Sequence, residues 1–122
     1  WVNAGHGPAL LVRAATGSVE RLDSTDVPLG VLAGRPFPAG EATALEVGDV
    51  LAVVTDGLHE ARDPAGRFLG LDAVAERLRE LAAERGRTAD EIAVALERHG
   101  AEHSGHPTPE DDLTVLVVRR SG

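Results

Sequence analysis

The stretch of sequence that decides the fold reads VLAVVTDG and spans residues 50–57. Its first six residues are apolar or β-branched and too few for a helix, so they predict a buried strand. Asp56 and Gly57 end that strand, since Asp-Gly is a common turn pair. A carboxylate at the mouth of a buried strand is partly desolvated, which is costly unless a cation or hydrogen-bond donors compensate. Asp56 is therefore either a turn residue or a ligand of a cation.

The last apolar run has a matching pair of acids at its start. Residues 113–119 (LTVLVVR) predict a strand, and Asp111 and Asp112 come directly before it. If this strand and the strand at 50–55 are antiparallel neighbours, Asp56 and Asp111 lie side by side. Two adjacent carboxylates suit a hard cation such as Mg²⁺ or Mn²⁺. The alternative is that the Asp-Asp pair is an ordinary solvated loop end.

Other strand patterns lie in the first half of the chain. Residues 9–13 and 18–22 read as a hairpin around a Thr-Gly turn. Residues 2–4 resemble the end of a further strand, and residues 43–46 a short one. Residues 23–42 are rich in proline and glycine and predict irregular structure.

The second half carries two helix patterns. Residues 71–85 place their apolar side chains on one helical face. Thr88 and Glu91 form a capping box, which predicts that a second helix begins there. That helix is expected to run to about His99 and to stop at Gly100. Strands and helices together predict an α+β fold.

Composition narrows the class of protein. The 122 residues suffice for one domain, 43% of them are hydrophobic, and the formal net charge is −8. An acidic surface repels phosphate backbones and anionic lipid headgroups, so we expect no nucleic-acid partner and no membrane insertion. The absence of cysteine excludes disulfides and thiolate metal sites. No apolar run approaches the ~20 residues of a membrane span, and a cytoplasmic protein fits these features.

The start of the chain predicts a fragment. Trp1 to Ala4 reads as the middle of a strand with no entry loop. A fragment of this kind leaves strand edges and one apolar sheet face uncovered. We expect either self-association of two copies or a bound second segment to cover that face, rather than a stable monomer.

Five short motifs follow one another in an order that identifies a family. They are NAGHGP at 3–8, PLG at 28–30, GDVL at 48–51, TDGLHEA at 55–61 and DDLTV at 111–115. In this order they resemble the PPM-type (type 2C) protein phosphatases, in the bacterial branch of the sporulation-stage-II-E phosphatase and its stress-response relatives. The resemblance covers nearly the whole chain.

The resemblance implies a fold and an activity. The family fold is an antiparallel β-sandwich of two sheets flanked by α-helices, and residues 1–122 resemble the C-terminal part of that single domain. Two Mn²⁺ or Mg²⁺ ions activate the water that hydrolyses phosphoserine or phosphothreonine on a protein. In this branch the phosphoprotein substrate is usually a small anti-anti-sigma-factor domain.

The resemblance also implies roles for particular residues. Asp56 and Asp111 correspond to metal ligands. Asp112 occupies a position where relatives carry Asp or Asn, and is expected to support the ligands without binding the metal itself. His6 corresponds to a loop residue near the cleft, where it orients the substrate or, alternatively, only fixes its own turn. Gly57 lies next to the site and more plausibly serves backbone geometry. The family's other metal-binding acids precede the motif that contains His6, so this chain alone is expected to bind metal weakly and to be inactive.

Two alternatives remain open at this point. The chain is also consistent with a degenerate or truncated phosphatase module that binds a partner protein through the former cleft. His99, His103 and His106 have a spacing that suggests zinc, although Gly100 and Gly105 interrupt it. A solvated helix end explains these histidines equally well.

Overall fold

A computed structural model describes residues 1–109 and 111–122 and contains seven elements. They are β1 (Ala9–Val12), β2 (Val19–Leu22), β3 (Val50–Val54), α1 (Asp56–His59), α2 (Leu71–Ala83), α3 (Ala89–Ser104) and β4 (Val115–Arg119). The four strands form one antiparallel sheet in the order β2-β1-β3-β4. The predicted α+β class is confirmed. Of the two sheets in the expected sandwich, the described residues form this one.

The core lies between one face of the sheet and the two long helices. Alternate residues of β3 point into it, so that Val50, Ala52 and Val54 are buried while their neighbours face the other side. The helices supply the opposite wall through Val74, Leu78, Leu81, Ile92 and Leu96. The apolar stripe predicted for residues 71–85 is therefore the face of α2 that packs on the sheet.

A buried aspartate ties the β1–β2 hairpin to the start of β3. Asp49 is 1% exposed, and its carboxylate accepts hydrogen bonds from the backbone N–H groups of Ala14 at 2.8 Å and Glu46 at 3.0 Å. The guanidinium of Arg13 donates a third at 2.9 Å. Burial raises the pKa of Asp49, but these hydrogen bonds outweigh burial and leave the pKa below its ordinary value. The carboxylate is therefore held in its charged form.

Two of the predicted strands are wrong. The carbonyl groups of Ala44 and Leu45 accept hydrogen bonds from the side chains of Arg13 and Arg120, and Asp49 binds the N–H of Glu46. Side chains therefore take up three backbone groups of residues 44–46 that a neighbouring strand would otherwise bind. Residues 2–4 form only a single bridge, between Ala4 and Asp26, because their partner segment is irregular.

The helix ends also differ from the prediction. The helix expected to reach residue 85 ends at Ala83. α3 does not stop at Gly100 but continues to Ser104, and Gly105 ends it in the left-handed conformation with φ 72°. Gly100 serves close packing instead, since a Cβ added there would lie 2.8 Å from Cδ1 of Leu58.

The sheet face opposite the helices is partly uncovered. Leu116 and Val118 on β4 are 51% and 42% exposed, in agreement with the expected apolar face. None of the helices within 1–109 and 111–122 is long and apolar enough to cross a membrane.

The Asp49 interactions predict a large loss of stability in the Asp49→Asn variant. The amide NH₂ would face hydrogen-bond donors, so we expect the free energy of unfolding to fall by about 2–3 kcal/mol. Chemical denaturation measures this loss. Glu20→Gln is the matched control, because Glu20 contacts the same Arg13 at the surface and exposed pairs contribute little. Equal losses in the two variants would contradict the role given to Asp49.

The same comparison has an expected pH dependence. Asp49 has a lowered pKa in the folded state, so its stabilisation is complete above the ordinary value of 3.8 and is lost as the pH falls through the folded value. The difference between wild type and Asp49→Asn should be constant at neutral pH and shrink below about pH 4.

The open face predicts self-association of the purified chain. Light scattering should give a mass above the 12.7 kDa of one copy, rising with concentration, because two copies can bury their exposed apolar sheet faces against each other. Val118→Thr should weaken the association. Val94→Thr, on the exposed side of α3, should leave it unchanged. A clean monomer that unfolds cooperatively would show that the chain closes its own core.

Candidate functional site

The candidate site lies where β3 ends and β4 begins. The strands pair antiparallel with Val54 opposite Val115, which confirms that the two strands are adjacent. Beyond that pair, the N–H of Thr55 donates to the carbonyl of Thr114 at 3.1 Å. The Thr55 hydroxyl accepts from the Thr114 N–H at 2.8 Å and donates to the Asp112 carbonyl at 3.1 Å. One threonine therefore fastens the end of β3 to the segment that carries Asp111 and Asp112.

Asp56 is the first residue of α1, with Thr55 at the N-cap position. Its Oδ1 accepts a hydrogen bond from the N–H of Gly57 at 3.0 Å. The expectation that burial partly desolvates Asp56 is wrong for this chain, because the side chain is exposed while Gly57 and Leu58 behind it are buried. The strand turns into a helix at its mouth, which directs the carboxylate outward.

Gly57 is where the two acidic segments touch. A Cβ added to it would lie 2.5 Å from the carbonyl oxygen of Asp112 and 3.3 Å from that of Asp111. The glycine thus permits a backbone approach that any side chain would prevent. The side chain of Asp111 in turn accepts from the N–H of Asp112 at 2.8 Å, which orders the start of this segment.

Asp56, Gly57, Asp111 and Asp112 all line one cavity of about 820 Å³. α1 and the following loop form one wall, with Glu60, Arg62 and Phe68. α3 forms another, where Glu97, Gly100, Ala101 and Ser104 follow the i, i+3, i+4, i+7 pattern of one helix face. The sequence prediction that Asp56 and Asp111 share an edge therefore agrees with their positions on this cavity.

The donors fit a hard divalent cation in kind. Carboxylates are the ligands that Mg²⁺ and Mn²⁺ prefer. Among the described residues, five line the cavity: Asp56, Glu60, Glu97, Asp111 and Asp112. Among the described residues, however, too few of these carboxylates converge on one point to hold an ion. Within 1–109 and 111–122, no group of three or more His, Asp or Glu side chains could hold a metal ion.

His6 does not line the cavity that these acids share. It borders a second, smaller hollow of about 320 Å³ with Trp1, Leu51 and Val53, on the open face of the sheet. Its Nδ1 lies 3.0 Å from the carbonyl oxygen of Gly7, and its backbone N–H donates to Asn3 at 2.9 Å. The contacts within this chain are those of a histidine that fixes its own turn.

The three late histidines do not converge. His103 binds the carbonyl of Arg67 at 3.0 Å through Nε2, and His106 borders the large cavity. His99 is half-buried with no partner for Nε2 among the described residues. Burial, together with the nearby Arg77, lowers its pKa. The zinc alternative gains no support from this arrangement.

Several cavity residues escaped the sequence analysis. Arg62 and Phe68 follow the Asp-Gly motif on a loop, where no periodicity marks them. The cavity-lining face of α3 could have been predicted from the sequence. Its residues share one helix face that becomes small and polar toward the C-terminal end, and they include Glu97, Gly100 and Ala101. The predicted helix end at Gly100 excludes Ala101 from the helix, so this face is not recognised in the sequence.

Comparison with solved structures defines the class of fold. The RsbU and RsbW domains of Rv1364c from Mycobacterium tuberculosis match with a TM-score of 0.76 and 31% identity, over 98% of this chain and 32% of that one. The phosphatase domain of SpoIIE from Bacillus subtilis, presoaked with Mn, matches with a TM-score of 0.64 and 23% identity, over 98% and 48%. The fold is that of part of a PP2C-type phosphatase domain.

The family follows from the sequence. The model of the stage II sporulation protein E (SpoIIE) family matches residues 1–121, and the chain belongs to that family. Protein IcfG from Synechocystis is 27% identical over 99% of this chain and 18% of its own length. The chain therefore spans a fifth to a half of these relatives.

The contact at Gly57 predicts that Gly57→Ala disturbs the candidate site. The new methyl group would meet backbone, which cannot rotate away, so we expect a loss of about 1–3 kcal/mol in unfolding free energy. Thermal denaturation measures it. Gly7→Ala is the control, because nothing lies within 4 Å of a Cβ at Gly7. Unchanged stability in Gly57→Ala would mean that the two segments are not in contact.

Proposed function

We propose that the domain containing this chain hydrolyses phosphoserine or phosphothreonine on a protein, with divalent cations held in part by Asp56 and Asp111. The observation that carries the proposal is the position of these two acids. They come from adjacent strand ends, lie on one cavity, and belong to a chain of the SpoIIE family.

The two aspartates would hold a Mn²⁺ or Mg²⁺ ion, and the complete domain would hold two. Such ions, when bound, activate water and neutralise charge on the phosphoryl group. The further ligands would come from the rest of the domain, because the described residues of this chain do not gather three at one point. Asp112 and Gly57 would keep the segment of Asp111 against α1.

The proposed substrate is a phosphoprotein that regulates a sigma factor, such as an anti-anti-sigma factor, in the cytoplasm. This assignment is supported by the SpoIIE family match and by the similarity to RsbU and SpoIIE domains. The exposed position of Asp56 also suits a protein substrate, since the phosphorylated side chain can reach it from solvent.

A second candidate is a protein-binding module without catalysis. The incomplete set of metal ligands among residues 1–109 and 111–122 favours it. Metal-dependent hydrolysis by the full-length protein separates the two candidates.

We expect Asp56→Asn in the full-length protein to reduce Mn²⁺-dependent hydrolysis of a phosphoserine peptide by at least about 100-fold. Partners outside the ligand shell alone account for 10- to 100-fold changes, and loss of a ligand should cost no less. Release of phosphate measures the rate, and calorimetry measures Mn²⁺ affinity.

Asp23→Asn is the control, because Asp23 is an exposed loop residue that does not border the cavity. The isolated 122-residue chain should not hydrolyse p-nitrophenyl phosphate at a useful rate. Robust turnover by that chain, or full activity of Asp56→Asn, would show that the proposed ligand set is wrong.

A further inference from the structure

The negative charge around the cavity would repel a phosphorylated substrate. Five carboxylates of the described residues border it, and the chain as a whole carries a net charge of −8. A phosphomonoester carries close to two negative charges at neutral pH. Cations held by Asp56 and Asp111 would offset part of the repulsion, but the phosphoryl oxygens would also need hydrogen-bond donors of fixed direction.

Arg62 can supply such donors together with a permanent positive charge. It is the one arginine among the described residues that border the cavity, and the chain has no lysine. Its guanidinium makes no ion pair with a carboxylate in the described part of the chain. Arg67, on the same loop, is neutralised by Asp63 at 2.7 Å. Of the two loop arginines, the one on the cavity is therefore the one without an ion-pair partner among the described residues.

The position of the Arg62 guanidinium is fixed by two contacts. It lies 4.0 Å from the centroid of the Phe68 ring, where an arginine and an aromatic face attract each other. One terminal nitrogen donates to the carbonyl of Gly66 at 3.1 Å. A guanidinium has five N–H donors in a planar fork, so several remain available for a ligand.

An anchored guanidinium beside a cavity is suited to phosphate. Its planar pair of N–H groups matches two phosphate oxygens, and ordering the side chain in advance reduces the entropy lost on binding. The geometry points to Arg62, seated on Phe68, as the residue that binds the phosphoryl group of the substrate in this cavity. This assignment rests on the proposed phosphatase function for its biological ligand, but its chemistry can be tested with inorganic phosphate alone.

The test is the affinity of the full-length protein for inorganic phosphate in Mg²⁺, measured by ³¹P NMR titration. Arg62→Gln should weaken the affinity about tenfold or more, the loss expected for a charge-assisted hydrogen bond. Phe68→Leu keeps the guanidinium but removes the ring beneath it, and should weaken the affinity about threefold. Arg62→Lys should fall between wild type and Arg62→Gln, since it keeps the charge without the planar fork.

Arg85→Gln is the charge-matched control, because Arg85 is exposed near the end of α2 and does not border the cavity. It should leave phosphate affinity within about twofold of wild type, allowing for the weak effect of a distant surface charge. Circular dichroism confirms that each variant is folded.

The outcomes separate this inference from the proposed function. Equal phosphate affinity in wild type and Arg62→Gln, or no phosphate binding by the wild type, overturns the role of Arg62. Arg62-dependent phosphate binding in a protein that hydrolyses no phosphoserine peptide supports the role of Arg62 and overturns the proposed function. A raised KM for the peptide in Arg62→Gln, with phosphate affinity lowered in parallel, supports both.

Discussion

The pairing of β3 with β4 is the constraint on which the candidate site depends. Asp56 and Asp111 belong to segments far apart in sequence, and only the register that sets Val54 opposite Val115 brings the segments together. A slip of one residue would send the side chains of the slipped strand to the opposite face of the sheet. The Thr55 hydroxyl, which joins both sides of the junction, extends that register one step beyond the last strand pair.

The remaining architecture supports this junction from behind. α2 and α3 cover the buried face of β3, and Leu58 of α1 fits against Gly100 of α3. The short helix that carries Asp56 is therefore held between the sheet and a long helix. At the other end of β3, Asp49 fixes the strand to the hairpin, so both ends of the central strand are anchored.

Sequence patterns predicted the parts of the fold that hydrophobic periodicity controls. The buried strand at Val50–Val54, the amphipathic α2 and the Thr88 capping box follow from local chemistry, and each is present. Residues 43–46 could not be predicted, because the groups that hold their backbone are side chains from Arg13 and Arg120. Such contacts between distant residues leave no local pattern.

The site was predictable only in part for the same reason. Strand ends flanked by acids revealed Asp56 and Asp111. Arg62 was not visible, because its importance depends on Phe68 beneath it and on a cavity wall formed by α3. The predicted helix end at Gly100 is wrong, because a glycine that permits close packing and one that ends a helix look alike in a sequence.

The Thr55–Asp112 contact joins residues that are 57 positions apart in sequence. This separation determines when the candidate site can form during folding. The helices form from neighbours in the chain, whereas β4 must close a loop that contains all of α1, α2 and α3. The two aspartates thus come together only when the slowest class of contact has formed. Before β4 pairs, the chain would keep the two proposed metal ligands apart and would offer a divalent ion no chelate.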